Sequence, residues 1–245
     1  GETITETTDY QTSNNSYNDF SVQADYYNKF TKDSKLEVGA KAEYEINNSL
    51  DCNYNANKEE ILDQRNDFRY TEQVYAVYAT YGNKWDWFGL QVGLRAEETL
   101  TSANDVKRNY FNLFPSAYLS FQLPKDNELQ LNYTRRIYRP GGWIVNNHVD
   151  RTDPTNISYG NPYINPEYSN NLEFNYLKTW EMHTISLGAF YSYTENVIQR
   201  VQKLRDDGVM ESTWDNITQS QSAGLDLTVK NRLFNNYLDL TTTAT

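Results

Sequence analysis

The sequence lacks most of the features by which soluble enzymes and helical membrane proteins are recognised. Cys52 is the only cysteine among 245 residues, so no intrachain disulfide and no cysteine-rich metal site can form. No segment approaches the ~18 consecutive apolar residues that a transmembrane helix requires. Acidic residues outnumber basic ones by 33 to 22, and the net charge of -11 argues against binding to nucleic-acid phosphates.

Aliphatic side chains are also scarce, whereas tyrosine is abundant. Hydrophobic residues make up 38% of the chain, yet aromatics reach 15%, with 21 Tyr against 10 Phe. A soluble domain of this composition would have difficulty filling a dry core, but a barrel with a wet lumen needs only one apolar face per strand. The tyrosine excess fits a surface that meets both lipid and water.

Apolar residues recur at every second position over segments of about ten residues, the length of a tilted membrane-spanning strand. Phe20, Val22, Ala24 and Tyr26 give the first such series, and Leu36, Val38, Ala40, Ala42 and Tyr44 give the second. The pattern predicts an all-β fold: an antiparallel up-and-down meander of about ten strands forming part of a transmembrane β-barrel. We expect one unit over residues 1–245, with 1–15 a loop or frayed segment and 16–245 five β-hairpins.

Short and long connections alternate between the predicted strands. The tight turns are at Thr31–Ser34, Gly82–Lys84, Pro124–Asn127, Thr179–Met182 and Asn231–Asn236, and the long connections at 46–69, 98–109, 138–168 and 195–222. Outer-membrane barrels have this asymmetry, with short turns on the periplasmic side and long loops outside. Aromatic residues cluster near the tight turns, as in an interfacial girdle. A soluble β-sandwich or extended sheet is the alternative, since aromatics also favour strands in general.

Several ordered motifs resemble the barrel of TonB-dependent outer-membrane receptors, most closely their "outer membrane β-barrel" group. They are Leu113-Phe114-Pro115-Ser116, Tyr133 to Pro140, Gly160-Asn161-Pro162, Asn165-Pro166-Glu167 and Tyr191 to Ile198. The resemblance implies a location in the outer membrane, contact with its lipid, and import of a scarce nutrient such as a metal chelate, vitamin or glycan. It also implies energy from the TonB complex, reached through a plug and an N-terminal region that nothing here matches. We therefore expect a portion of a larger barrel.

This chain departs from the family pattern at two places. Gly141-Gly142-Trp143-Ile144-Val145 stands where a Leu-Asn-Pro-Phe type sequence is expected, and Asp226 stands where the family more often has Glu. Both differences lie in or near predicted loops, where they can mark the choice of ligand.

Candidate ligand-binding residues lie where the longest predicted connection begins and along it. Arg135, Arg136 and Arg139 at the end of a strand can grip an anion, or pair with lumenal acids such as Glu97 or Glu173, and we favour pairing. Tyr138, Trp143, Tyr159 and Tyr163 offer rings on which sugars or flat chelates stack, although they can also pack inside the loop. With Arg139 they form the predicted ligand site.

No catalytic or metal site is predicted, and neither is a cofactor. The two histidines, His148 and His183, fall in different regions, and no nucleophile motif accompanies them. Asn146, Asn147, Asp150 and Asp153 lack the spacing of a calcium loop. The sequence therefore predicts a non-enzymatic receptor, and the alternative function is that of a soluble or surface-attached carbohydrate-binding β module.

Overall fold

A computed structural model describes residues 10–234 and 237–245, whose strands form one mostly antiparallel sheet. Ten strands follow one another in chain order across the sheet, from β1 at one edge to β11 at the other, and the short β7 pairs only with β10. The bounds are β1 Tyr10–Lys29, β2 Ser34–Tyr54, β3 Asn66–Lys84, β4 Phe88–Ala103, β5 Val106–Leu123, β6 Asn127–Tyr138, β7 Asn156–Ser158, β8 Glu167–Trp180, β9 His183–Leu204, β10 Met210–Leu233 and β11 Leu238–Ala244. The predicted all-β meander is confirmed.

Helical structure is limited to two short pieces within the connections. A 3₁₀ helix covers Leu62–Gln64, and α1 covers Gly142–Val145. Along the described ranges, no helix is long and apolar enough to cross a membrane.

The register gives the sheet two faces of opposite character. Val92 pairs with Tyr81 on one side and Ala117 on the other, and the alternation continues without a slip from β2 to β5. We call the face that carries Val92 the outer face. Its apolar side chains form a continuous exposed band that includes Val22, Val77, Leu94, Leu113, Phe174 and Leu225. Such a large exposed apolar surface indicates contact with lipid or protein. The opposite, inner face carries polar residues such as Arg95 and Glu97.

Aromatic rings pack together at the end of the sheet that carries the tight turns. Phe88 stacks on Trp85 with ring centroids 5.4 Å apart and contacts Phe121 at 5.1 Å, and Trp87 lies 6.2 Å from Phe121. Trp85 and Trp87 form the turn between β3 and β4, which lies slightly beyond the predicted Gly82–Lys84 because β3 continues to Lys84. This end of the sheet is called the turn end below, and the opposite end the loop end.

Several strands at the loop end are longer than predicted, which corrects three of the long connections. The predicted loop 98–109 is a tight hairpin, because β4 ends at Ala103 and β5 begins at Val106. The 195–222 and 46–69 connections shorten to 205–209 and 55–65. Only 138–168 stays long, as residues 139–166.

The first strand is also longer than the sequence predicts. Residues 10–15 were expected in a loop but belong to β1, paired with β2 from Tyr10↔Tyr54 onwards, while residues 1–9 lie outside the described part. In the predicted turn Asn231–Asn236, residues 235 and 236 also lie outside it. The physical reason for the missed strand ends is common to all four sites. Beyond the apolar band polar residues occur on both faces, and the inner face also carries apolar residues such as Phe68 and Tyr70. The alternation of apolar and polar residues therefore disappears although the backbone ladder continues.

Candidate ligand site on the inner face

The 139–166 loop folds back over the inner face of the sheet at the loop end. Val145 packs against Phe68, Tyr70 and Ala103, which all point to this face. Ile144 and Ile164 of the loop are also buried, at 2% and 1% exposed. Burial of such side chains contributes roughly 1.5–3 kcal/mol each, which holds the loop down on the strands.

A buried charge cluster fixes the start of the loop. The Arg139 guanidinium forms an ion pair with Glu97, which also pairs with Arg95, and its Nε lies 3.8 Å from Glu72. Its side chain is 20% exposed and that of Glu97 only 6%. Paired and largely enclosed, Arg139 fixes the start of the loop against β3 and β4. The favoured interpretation of pairing with Glu97 is confirmed for Arg139, whereas Glu173 accepts a hydrogen bond from Asn132.

A second set of contacts attaches the far part of the loop to β10. β7 pairs in parallel with Met210–Ser212. The Tyr159 hydroxyl donates to Glu211 Oε1 at 2.7 Å, and this hydrogen bond together with burial raises the pKa of Tyr159 above its ordinary value. Asn161 Nδ2 donates to the carbonyl of Trp214 at 3.1 Å. The loop therefore bridges the inner face from β3 and β4 to β10.

Reciprocal amide bonds close the end of the loop. Asn165 N donates to Asn216 Oδ1 at 2.8 Å, and Asn216 Nδ2 donates to the Asn165 carbonyl at 3.0 Å. Arg108 of β5 donates to the Ile164 carbonyl and, at 2.5 Å, to Asn165 Oδ1. These bonds satisfy backbone groups of a segment that has no strand partner, so the loop has a defined conformation.

The docked loop encloses a cavity of about 670 Å³. Its walls are the loop, the inner face of β1–β2 and the loop-end portions of β9 and β10. We call it the inner cavity. Trp143 and Trp214 meet on its wall edge to face, with ring centroids 4.9 Å apart and an angle of 86°. Trp143 is 65% exposed, so much of its surface is open to a ligand. The volume is within the ~300–1,000 Å³ of ordinary small-molecule sites.

The polar lining of the inner cavity is neutral to acidic. Its side chains include those of Asn47, Asp51, Asp150, Tyr159 and Arg200, and Arg200 is its one formally cationic member. His148 also contributes; burial lowers the pKa of its imidazole, an effect larger than the opposing pull of Asp150 and Asp51. At neutral pH it is therefore uncharged. The wall offers hydrogen-bond donors and acceptors but little positive charge for an anion.

The structure brings together two of the predicted ligand residues and separates the others. Trp143 and Tyr159 line the inner cavity, whereas Tyr138 and Tyr163 are 53% and 70% exposed elsewhere. Arg139 is held in the charge cluster. All five remain predictions as ligand contacts.

The other two arginines also lie apart from the cavity wall. Arg135 lies over the Tyr168 ring, 5.3 Å from its centroid, on the outer face, and Arg136 is exposed on the inner face. The guanidiniums thus do not form one anion site.

Trp214, Asp51 and Arg200 were missed as wall residues. Trp214 and Asp51 lie in segments predicted as loops, and Trp214 could have been noticed as a loop aromatic. Only the folded register shows that it faces Trp143.

A match to known sequences identifies this two-faced sheet. Residues 1–244 match the outer membrane protein beta-barrel family. The chain belongs to this family. It is an outer-membrane protein, and the soluble alternative finds no support. No protein of curated function matches the sequence.

Solved structures share the fold at low sequence identity. The copper transporter OprC has a TM-score of 0.69 at 12% identity, with 91% of this chain and 37% of that chain covered. The hemophore receptor HasR of Serratia marcescens has a TM-score of 0.66 at 13% identity, with 90% of this chain and 40% of that chain covered. The ferric enterobactin receptor PfeA of Pseudomonas aeruginosa has a TM-score of 0.68 at 15% identity, with 90% of this chain and 34% of that chain covered. The resemblance to the barrel of such receptors is thereby confirmed as a matter of fold.

The chain spans 34% to 40% of the length of these three structures. Their names describe a transporter and two receptors. Along the part of this chain that the structure describes, no three His, Cys, Asp or Glu side chains converge to hold a metal ion.

Proposed function

We propose that this chain is part of the wall of a TonB-dependent outer-membrane receptor that captures a neutral, polyhydroxylated nutrient, a glycan, in the inner cavity. The cavity lies at the loop end, which in such barrels faces the outside. The likeness in fold to nutrient transporters and receptors supports import as the activity. A plug and an N-terminal segment outside this chain would gate passage and contact the TonB complex. We propose no enzymatic step.

The observation that carries the choice of a glycan is the pairing of the exposed Trp143–Trp214 edge with a wall of amides, hydroxyls and carboxylates. Sugar rings present apolar C–H faces that pack on aromatic surfaces and hydroxyls that need donors and acceptors. Ferric chelates of the catecholate kind are polyanions, for which paired guanidiniums are the fitting groups. Arg200 alone opposes Asp51 and Asp150 here.

Calorimetric titration of the full-length receptor in detergent tests the proposal. The probes are neutral hexasaccharides of glucose, xylose and mannose, with ferric enterobactin and cyanocobalamin as representatives of the other nutrient classes. We expect at least one oligosaccharide to bind, and Trp143→Ala and Trp214→Ala each to weaken binding by at least tenfold. Trp87→Ala is the matched control, because this indole is 62% exposed, close to the 65% of Trp143, and lies at the turn end, outside the cavity wall.

Three results would contradict parts of the proposal differently. Binding of ferric enterobactin alone, weakened by salt, would replace the glycan by an anionic ligand but leave the receptor function standing. Failure of every probe to bind would count against the inner cavity as a nutrient site. Uptake of a bound oligosaccharide that is unchanged in cells lacking TonB would remove the energy coupling.

A further inference from the structure

A second concave site lies on the opposite face of the sheet, away from the inner cavity. At the loop end of β2–β5 the outer face encloses an open hollow of about 950 Å³. Its lining combines basic residues with Tyr44, Thr71, Gln73 and Leu100. Because the chain carries 33 acids against 22 bases, a basic hollow runs against its average charge.

Two cationic side chains point into this hollow from the outer face. Arg69 pairs with Asn48 and Lys107 pairs with Ser102, in the same uninterrupted registers that place Val77 and Phe111 on that face. Both side chains are exposed, and neither forms an ion pair within the residues the structure describes. We call Arg69 and Lys107, with the hollow around them, the basic notch.

Neighbouring charges do not neutralise the notch. Asp105 is the one acid in its lining, while Arg108, which also lines it, donates to the 139–166 loop. Thr71 and Gln73 add a hydroxyl and an amide on the outer face. Two unpaired cations with neighbouring donors are a set suited to a phosphate group.

The distance of the basic notch from the apolar band shows which region of the membrane surrounds the notch. Lys107 is four residues beyond Phe111, the last large apolar residue of the band on β5. At ~3.3 Å per residue this is ~13 Å along the strand, or ~10 Å along the membrane normal for a strand tilted by about 40°. Tyr44 and Leu100 lie between the two levels. The notch therefore lies in the headgroup region on the outer side.

We propose that the basic notch binds the phosphate of a phosphorylated glycolipid in the outer leaflet. Arg69 and Lys107 would grip the phosphate, and the sugar would rest on Tyr44 and Leu100 while the acyl chains follow the apolar band below. A glycolipid fits better than a simple phospholipid, because its sugars carry phosphate above the hydrocarbon edge. This site is separate from nutrient capture, since it lies on the other face of the sheet.

Lipid retention by the full-length receptor tests this assignment. We compare wild type with the double variant Arg69→Gln/Lys107→Gln, purified in mild detergent and incubated with bisphosphorylated lipid A, dephosphorylated lipid A or inorganic phosphate. Native mass spectrometry then counts bound lipid. We expect at least a fivefold loss of bisphosphorylated lipid A from the double variant, and little retention of the dephosphorylated form by wild type.

Two further variants separate the basic notch from general charge and folding effects. Lys32→Gln/Lys125→Gln removes the same charge from exposed turns at the opposite end and should retain the lipid. Arg69→Lys/Lys107→Arg keeps both charges and should retain it too. Equal retention by the Gln double variant, or equal binding of dephosphorylated lipid A, would overturn the proposal. Full competition by millimolar inorganic phosphate would replace the lipid with a free anion.

Discussion

Arg139 shows how the contacts of a residue depend on the fold and not on its position in the sequence. The sequence places it at the entrance of the longest loop, where a guanidinium suits either an anionic ligand or a lumenal acid. The fold decides for the acid, because Glu97 and Glu72 come from neighbouring strands and reach Arg139 only through their register. Spacing along the chain carries no information about that meeting.

We expect Arg139→Gln to loosen the start of the 139–166 loop strongly. Removal of one partner of a buried ion pair leaves an uncompensated charge and costs about 3–5 kcal/mol, and the lower end applies here because Arg95 still contacts Glu97. Hydrogen exchange measured by mass spectrometry on the full-length receptor should show lost protection across the loop. Arg136→Gln is the control, since Arg136 is exposed. Equal exchange in both variants would refute the anchoring role.

Gly160 is a position where the loop leaves no room for a side chain. A Cβ there would contact the Ile144 carbonyl oxygen and lie 2.5 Å and 2.8 Å from the Asn146 backbone oxygen and nitrogen. Because backbone atoms cannot turn aside, Gly160→Ala should destabilise the docked loop by about 1–3 kcal/mol. The same exchange measurement reports it. At Gly141 a Cβ would meet only the Trp143 side chain, at 3.3 Å, so Gly141→Ala should change little.

At the scale of elements, the sequence predicts the strands well within the apolar band and poorly beyond it. Val92, Leu94 and Ala96 alternate with polar residues because one side must face lipid. Past Ala103 that requirement ends, and Asn104, with φ at 49°, turns the chain in a tight hairpin. The Asn104 side chain accepts from Arg69 N at 2.8 Å, which attaches this turn to β3. In this region a polar strand and a polar loop have the same amino-acid composition. The sequence therefore predicts a loop where the structure has a hairpin.

The 139–166 loop should respond to acid through His148. Its pKa is lowered in the folded state by burial, so the docked loop favours the neutral imidazole. This stabilisation is complete above the ordinary pKa of about 6.5 and is lost as the pH falls through the lowered folded value. Loop protection against exchange, corrected for the intrinsic rates, should therefore decrease from pH 7.5 to pH 5.0. His148→Gln should flatten the dependence; an unchanged slope would exclude this histidine as its source.

At the scale of the whole molecule, the outer face of the sheet is suited to lipid and the inner face to water. Large side chains on the outer face are exposed, as Leu225 is at 65%, and form a band with no protein against it in the described residues. The inner face carries charged residues, among them the ion pair Arg95–Glu97. In a membrane the band is covered by lipid, so the hydrophobic effect acts on the outside of the wall rather than on a core. The low aliphatic content follows from this division.

Site-directed spin labels should report the division directly. In a Cys52→Ser background, labels at Val92→Cys and Leu187→Cys on the outer face should collide with oxygen, which concentrates in lipid. Labels at Gln91→Cys and Ser186→Cys, one residue away on the inner face, should collide instead with a water-soluble nickel chelate. The contrast follows from strand alternation, because adjacent residues point to opposite faces. Equal accessibility to the nickel chelate at all four sites of the reconstituted full-length receptor would contradict the membrane-facing assignment of the outer band.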